Sequence, residues 1–528
     1  MISGQPGDDA APGEVAGRVG RVGRRGRRGV ARKSRLGGWW RDPGWFFVIV
    51  GALFGLTFIA TVPPLQGPDE HDHFYRSYEL AHLRLFPLEH MGDPELDPSV
   101  ADTMPAGIAE LIDPFLIHPD GTLVVGPDVN AKVRAGKVWD YLFRPLNKAD
   151  QVPVPVNNAA TRQRPPVGYV PMAVAVAAGE AVGLSALGIV YLAKLAALAA
   201  WLAAGFFAIR WWPFNRWALA ALLSLPAFLL QATTMNLDMS QNALGAMLLA
   251  AVLRVCYGPR PGVSGELAGS GQVGGQVGWD GLGWGGTVGL TVLASGFVLT
   301  KPTAVIFLPV VLLLPAARCP RIWRVSAKWL VLVVPVVLVA AWNRVGGGLT
   351  VSNPHVDPSG EGPDQMDYLL GHLPEAIALI PRYIWNQDAG LWSMFGTIAM
   401  YTGVMSLAIY ATFVAVTAYG TCSDQPQPVL PVRQRLLLGT MALAHFCAVC
   451  LALYLGYSPI GARFIDGLQG RYLLIGLVFL LPVWQHLVRV RPAGYARFIR
   501  AVPLTILAIA VLSAIARYYE TPLAVLAT

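Results

Sequence analysis

Five consecutive positions, Asp69, Glu70, His71, Asp72 and His73, carry five ionisable side chains inside the stretch "VPPLQGPDEHDHFYRSYELAH" (62–82). Read as a helix start, the stretch places Asp69 one turn from His73 and Asp72 one turn from Arg76, with acids in the first turn where the macrodipole favours them. Two chemistries follow. The charges are the solvated face of a loop helix laced with i,i+4 pairs, or they form a reaction centre. Phe74, Tyr75 and Tyr78 alternate with the charges, so part of this helix faces protein or lipid. An acid desolvated there is expected to have a raised pKa, which turns a carboxylate into a usable base. Asp69 and His73 also offer two ligands to a structural metal, but no third ligand lies nearby in the sequence.

The elements that must position these residues are membrane helices. The 528-residue chain is 54% hydrophobic and 14% charged, with a mean hydropathy of +0.49; a soluble chain carries about 25% charged residues. Its apolar residues come in long blocks, the length of about 20 residues that a hydrocarbon core of about 30 Å requires of a helix. The blocks lie near 45–62, 167–184, 187–209, 217–234, 239–257, 284–300, 302–317, 329–345, 398–419, 436–456, 472–488 and 501–518. Twelve crossings would put Arg210, Arg216, Arg254 and Arg260 outside, against the positive-inside rule. Segment 167–184 opens with "RPPVGYVP" and carries Glu180, so it is expected to be a re-entrant or interfacial helix. The expectation is an all-α polytopic protein of the plasma membrane with about eleven transmembrane helices, a cytoplasmic N-terminus and an external C-terminus.

In this arrangement residues 1–41 form a disordered basic cytoplasmic tail and 42–528 a single membrane domain. The domain has a large helical external first loop (63–166), a Gly-rich cytoplasmic linker (258–283) and a second large external loop (346–397). The net charge of +8 comes largely from "GRVGRVGRRGRRGVARKSR"; the tail reads as a topology signal, and no nucleic-acid partner is expected. The literal G-x-G-x-x-G at Gly269, Gly271 and Gly274 lacks the strand and helix of a dinucleotide site. Five scattered cysteines make no disulfide framework, and the C-x-x-C of Cys447 and Cys450 lies in a membrane segment. His445 and His486 read as packing or interfacial residues.

The stretch "PDEHDHFYR" resembles the signature of a bacterial membrane family known as domain of unknown function 2142. "RPPVGYVPMA" (164–173), "NLDMSQNAL" (236–244) with "TKPTAVIFLP" (300–309), and "QGRYLL" (469–474) resemble the same family in the same order. Asn236 and Leu237 precede Asp238 where a small residue is more frequent. The layout is also similar to the GT-C fold of membrane glycosyltransferases that use polyprenyl-phosphate sugars. That resemblance implies a polyprenyl-phosphate sugar donor, a glycan or lipid acceptor, and a site at the outer face of the bilayer. Asp69 is then the base, with Glu70 or Asp238 orienting the acceptor or a divalent cation, the one cofactor this chemistry admits. Arg471 pairs with the phosphate, whose geometry suits a guanidinium, and Lys301 adds a second positive charge; the plainer role for both is snorkelling at a helix end. His73, Arg76, Tyr169, Gln469 and Tyr472, which match the motifs, complete the substrate-binding set. The rival readings are a transporter or flippase of a lipid-linked or small substrate, which would use Glu180 and Lys194 along a translocation path, and an envelope assembly protein. A transporter should show internal repeats, and the sequence has none.

Overall fold

A computed structural model describes residues 39–67, 69–85, 100–116, 135–155, 161, 164–258, 283–314, 326–345, 365–385, 428–465, 467–487 and 495–518. The protein is helical, with one small two-stranded sheet among the described residues. The basic tail before Trp39, most of the Gly-rich linker and the expected segment 398–419 lie outside them.

Local chemistry sets the helix starts. Asp42 accepts from the backbone N–H groups of Gly44 and Trp45, and Pro43 takes the first position of α1 (Pro43–Thr61). Ser185 caps α4 (Ala186–Trp211), and Asn236 caps α7 (Leu237–Tyr257). Between them the expected span 217–234 is broken into α5 (Arg216–Leu223) and α6 (Pro226–Thr233), bent by 57°. Pro226 lacks a donor and holds Leu225 extended at ψ 144°, so one continuous helix cannot form. After α8 (Trp284–Val298), residues Pro302–Leu313 form a 3₁₀ segment of twelve residues. Pro309 inside it removes one N–H, and the 2.0 Å rise stretches it to about 24 Å.

Further along the chain lie α9 (Ser326–Val345), α10 (Gln365–Gly371), α11 (Leu373–Trp385), α12 (Val432–Tyr457), α13 (Leu474–Leu487) and α14 (Tyr495–Tyr518). Among the described residues five helices are long and apolar enough to cross a membrane, six if the bent α5–α6 pair is one span, and four shorter apolar segments accompany them.

Contacts sort the ends of these segments. At one end Arg210 lies 3.3 Å from Asp42, and Arg254 donates to the Arg210 carbonyl. There too Cys256 reaches the Leu313 carbonyl, Tyr257 bonds Gln434, Gln485 donates to the Asn215 carbonyl, and Arg500 lies over Trp217. At the other end lie Asp69, Thr234, Asp238, Lys301 and Arg471. The described segments alternate between these two ends from α1 to the 3₁₀ segment, and α11 and the start of α12 are on opposite ends.

The segment expected not to cross is α3 (Val170–Ala181), preceded by a 3₁₀ turn at Pro166–Tyr169. It is about 18 Å long, too short for a hydrocarbon core, and both its ends stay on the Asp69 side. Gly168 accepts from Ser240 at 2.6 Å, while Glu180 takes Lys148 at 2.8 Å and His82 at 3.2 Å, both from the first loop.

The described part of the first loop is mainly helical, as expected, and also holds one strand pair. Strand β1 (Val100–Pro105) pairs antiparallel with β2 (Gln151–Pro155), with an irregularity between Val100 and Asp102. The loop's main helix, α2 (Glu70–Ala81), packs on α3 and is buried from Glu70 through Leu80.

Candidate functional site

The helix that begins the first loop is not a solvated face. Glu70, Asp72 and Arg76 are all 0% exposed, and the expected Asp72–Arg76 pair does not form. Arg76 pairs instead with Glu79 at 3.2 Å and donates to the carbonyls of Arg164, Arg84 and Leu85. These bonds tie α2 to the backbone at 84–85 and at Arg164. Arg76 is therefore spent on the fold and does not join the cluster described next. Asp72 lies beside His71, at 3.6 Å.

Asp69 stands just before the helix, in a left-handed conformation (φ 52°, ψ 24°) that non-glycine residues seldom adopt. Its side chain makes no cap bond. It is turned to Arg471, whose Nη2 lies 2.5 Å from Oδ2. Arg471 sits in a 3₁₀ turn, Gly470–Leu473, directly before α13. The same guanidinium places Nε 3.6 Å from Asp238 Oδ2 and donates to the Tyr472 hydroxyl at 3.1 Å. Lys301, between α8 and the 3₁₀ segment, ion-pairs with the other oxygen of Asp238 and lies 4.4 Å over the Tyr472 ring.

Four stretches far apart in the chain thus bring two acids and two cations together in the order Asp69, Arg471, Asp238, Lys301. Asp238 is 1% exposed, whereas Asp69 and Lys301 at the two ends are 14% and 19% exposed.

Two glycines make the convergence possible. A Cβ on Gly67 would lie 2.4 Å from Thr234 Cβ, and one on Gly168 would lie 2.2 Å from Leu237 Cδ1. The turn before Asp69, the turn before α3 and the start of α7 therefore touch backbone to side chain. Glu70 accepts from the Gly67 N–H at 2.8 Å and pairs with Lys194 of α4 at 3.0 Å, both side chains fully buried. Glu70 thus braces the turn that presents Asp69. Lys194, which the sequence reading assigned only to a translocation path, is its partner; one lysine alone in a long apolar run was the available signal, because a buried charge needs an opposite one.

The electrostatics correct one expectation. Burial pushes the Asp69 carboxyl up, but Arg471 together with His73 and His71 brings Asp69 below the usual carboxylate range. Glu70 is the acid that is raised: burial dominates, and Lys194 offsets only part of it. Burial also pulls His73 down to about 3, so its imidazole is neutral at pH 7. His73 Nδ1 and the Tyr169 hydroxyl share a 2.9 Å hydrogen bond that joins α2 to the turn before α3. Gln469 precedes Arg471 at the entry of the 3₁₀ turn, half-buried.

A divalent cation does not fit these residues. Both carboxylates that could hold one face Arg471 or Lys301, His73 Nδ1 faces Tyr169, and among the described residues no three His, Cys, Asp or Glu are grouped to bind a metal. Cys447 and Cys450 are free thiols on α12, and His445 is buried against Phe307.

A family model described as a predicted membrane protein, DUF2142, matches residues 52–480. The chain belongs to this family. No curated protein and no solved structure matches it. The DUF2142 match spans Asp69, Asp238, Lys301 and Arg471, so all four members of the cluster lie within the family region.

Proposed function

We propose that this protein transfers a sugar from a polyprenyl-phosphate donor to a glycan or lipid acceptor of the cell envelope, at the outer face of the plasma membrane. The observation that carries the reading is the alternating cluster of Asp69, Arg471, Asp238 and Lys301 at one end of the helices, reachable at its two ends. The likeness of this layout to the GT-C fold supports it as an analogy.

The chemistry divides as follows. The donor phosphate draws Arg471 and Lys301, whose charges are otherwise taken up by the two aspartates. Asp69, relieved of its guanidinium, rises toward the ordinary carboxylate range and becomes the better base. The acceptor hydroxyl gives its proton to Asp69 as its oxygen bonds the anomeric carbon. The anomeric carbon–phosphate oxygen bond breaks, and the departing polyprenyl phosphate keeps the electron pair beside Arg471 and Lys301. Asp238 holds both cations in place through the cycle. Glu70 and Arg76 support the turn and the loop without touching substrate.

The orientation rests on charge. The end opposite the cluster carries Arg210, Arg216, Arg254, Arg433 and Arg500, as the positive-inside rule asks of a cytoplasmic face. Charged residues that would serve a translocation path are engaged: Lys194 with Glu70, and Glu180 with Lys148 and His82.

The test is turnover of labelled polyprenyl-phosphate sugars by the purified protein in liposomes, with donor binding measured in parallel. Arg471→Lys keeps the charge and loses the planar fork, so donor binding should weaken while the protein stays inserted and folded. Donor binding unchanged in Arg471→Lys and Arg471→Ala, with no turnover of any donor by the wild type, sinks the reading.

A further inference from the structure

A second feature on the same end of the molecule lies apart from the cluster. Helices α10 and α11 and the loop 459–464 enclose a cleft of about 830 Å³, within the size range of small-molecule sites. Its walls are built. Gln365 donates to the carbonyls of Tyr454, Ser458 and Pro459, and the Tyr454 hydroxyl donates to the Ala462 carbonyl at 3.0 Å. Gly461, at φ 73°, lets the loop close to within 3.2 Å of the Tyr368 ring at its Cβ position.

The lining divides in two. Leu369 and Leu379 belong to a separate apolar core, and Phe464 is 53% exposed beside them. Arg382 and Arg463 also line the cleft, and among the described residues no carboxylate pairs with either. Both arginines are exposed at the cleft, where a solvated guanidinium is open to a ligand, whereas the more buried Arg76, Lys194, Lys301 and Arg471 each have an acid partner. Glu375 adds an acceptor for hydroxyl groups.

We infer that this cleft binds an anionic amphiphile, a phosphate-headed molecule with an apolar body, held by Arg382 and Arg463 at the head and by Leu369, Leu379 and Phe464 along the body. Two guanidinium groups suit a phosphate, which takes parallel N–H···O bonds from each. The apolar wall requires a ligand larger than the free anion. Binding in the cleft does not depend on the transfer reading.

The experiment is calorimetric titration of the full chain in a neutral maltoside detergent with dihexanoyl phosphatidic acid, dihexanoyl phosphatidylcholine and inorganic phosphate. Phosphatidic acid should bind, and the other two should bind at least about tenfold more weakly. Arg382→Gln with Arg463→Gln should weaken phosphatidic acid at least about 30-fold, and Arg471→Ala should leave it within about twofold. If the double Gln variant is not monodisperse, Arg382→Lys with Arg463→Lys replaces it, with a loss of about tenfold expected from the missing fork. Unchanged binding in the double variants, loss in Arg471→Ala instead, phosphate binding as tightly as phosphatidic acid, or no binding of phosphatidic acid would each overturn the inference. Absence of sugar turnover with cleft binding intact would count against the transfer reading alone.

Discussion

Asp69 and Glu70 are neighbours with the same charge, yet they sit in opposite environments. Asp69 is 14% exposed and held by an arginine 402 positions away, in an exchangeable cluster of alternating charge. Glu70 is fully buried, and its two partners, Lys194 and the Gly67 N–H, are equally enclosed. A carboxylate at the edge of a cluster can trade its cation for a ligand at small cost. One sealed in the interior cannot, because removing either partner leaves a charge without solvent. The pKa directions follow: Asp69 is lowered and Glu70 raised. They also pull stability oppositely with pH. Asp69 contributes above its ordinary range and loses that contribution as pH falls through its depressed value. Glu70 contributes below its ordinary range and loses it as pH rises through its elevated one.

The contrast breaks most visibly in activity. Asp69→Asn should lower sugar turnover by roughly 10²–10⁴-fold, the loss typical of a missing general base. Equal, near wild-type turnover in Asp69→Asn and in Asp72→Asn would return the first acid to a structural role.

Lys194→Met addresses the other half. It strands Glu70 in the interior and should cost about 3–5 kcal/mol in denaturant unfolding, whereas adding Glu70→Leu to it should recover most of the loss. Failure of the second substitution to rescue would mean that the pair is not the unit of stability.

A smaller effect is expected where the two environments meet. Gly67→Ala puts a methyl against Thr234 Cβ at 2.4 Å and Glu70 Oε2 at 2.9 Å, so it should cost about 1–3 kcal/mol and lower turnover, since the same turn presents Asp69. Full stability and turnover in this variant would show that the turn has slack.

The smallest effect is confined to acid. His73, held down near 3, stays neutral in the folded protein while the unfolded chain takes up its proton near 6.5. Its contribution is full above 6.5 and is lost as pH falls toward about 3, so stability should decline over that window. His73→Gln should flatten the decline. An equally steep decline in the variant would place the titrating group elsewhere.

What could be read ahead of the structure was whatever rests on composition and order along the chain. The apolar blocks are legible because a hydrocarbon core demands long runs with few charges, and the arginines at their ends mark one face. The same charge count gave the expectation that the α3 segment does not cross, and the helix there is 12 residues long. Asp69, Asp238, Lys301 and Arg471 stood out as charges beside apolar runs, where charge is costly and so has a use.

Only the folded chain decided which charges meet. Arg471 could have anchored a helix end; it reaches Asp69 because Gly67 and Gly168 let three turns pack within van der Waals distance. Arg76 matched the motif as well as Arg471 did, yet it is spent on three carbonyls. The break at Pro226 is written locally, since proline withholds a donor wherever it stands. The sign of a pKa shift is not, because it depends on how burial balances against the nearest opposite charge. For Asp69 that charge is 402 residues away, and for Glu70 it is Lys194, on another helix. Spacing along a chain reports neighbours within a turn, whereas these partners are neighbours only across the packed ends of α2, α4, α7 and α13.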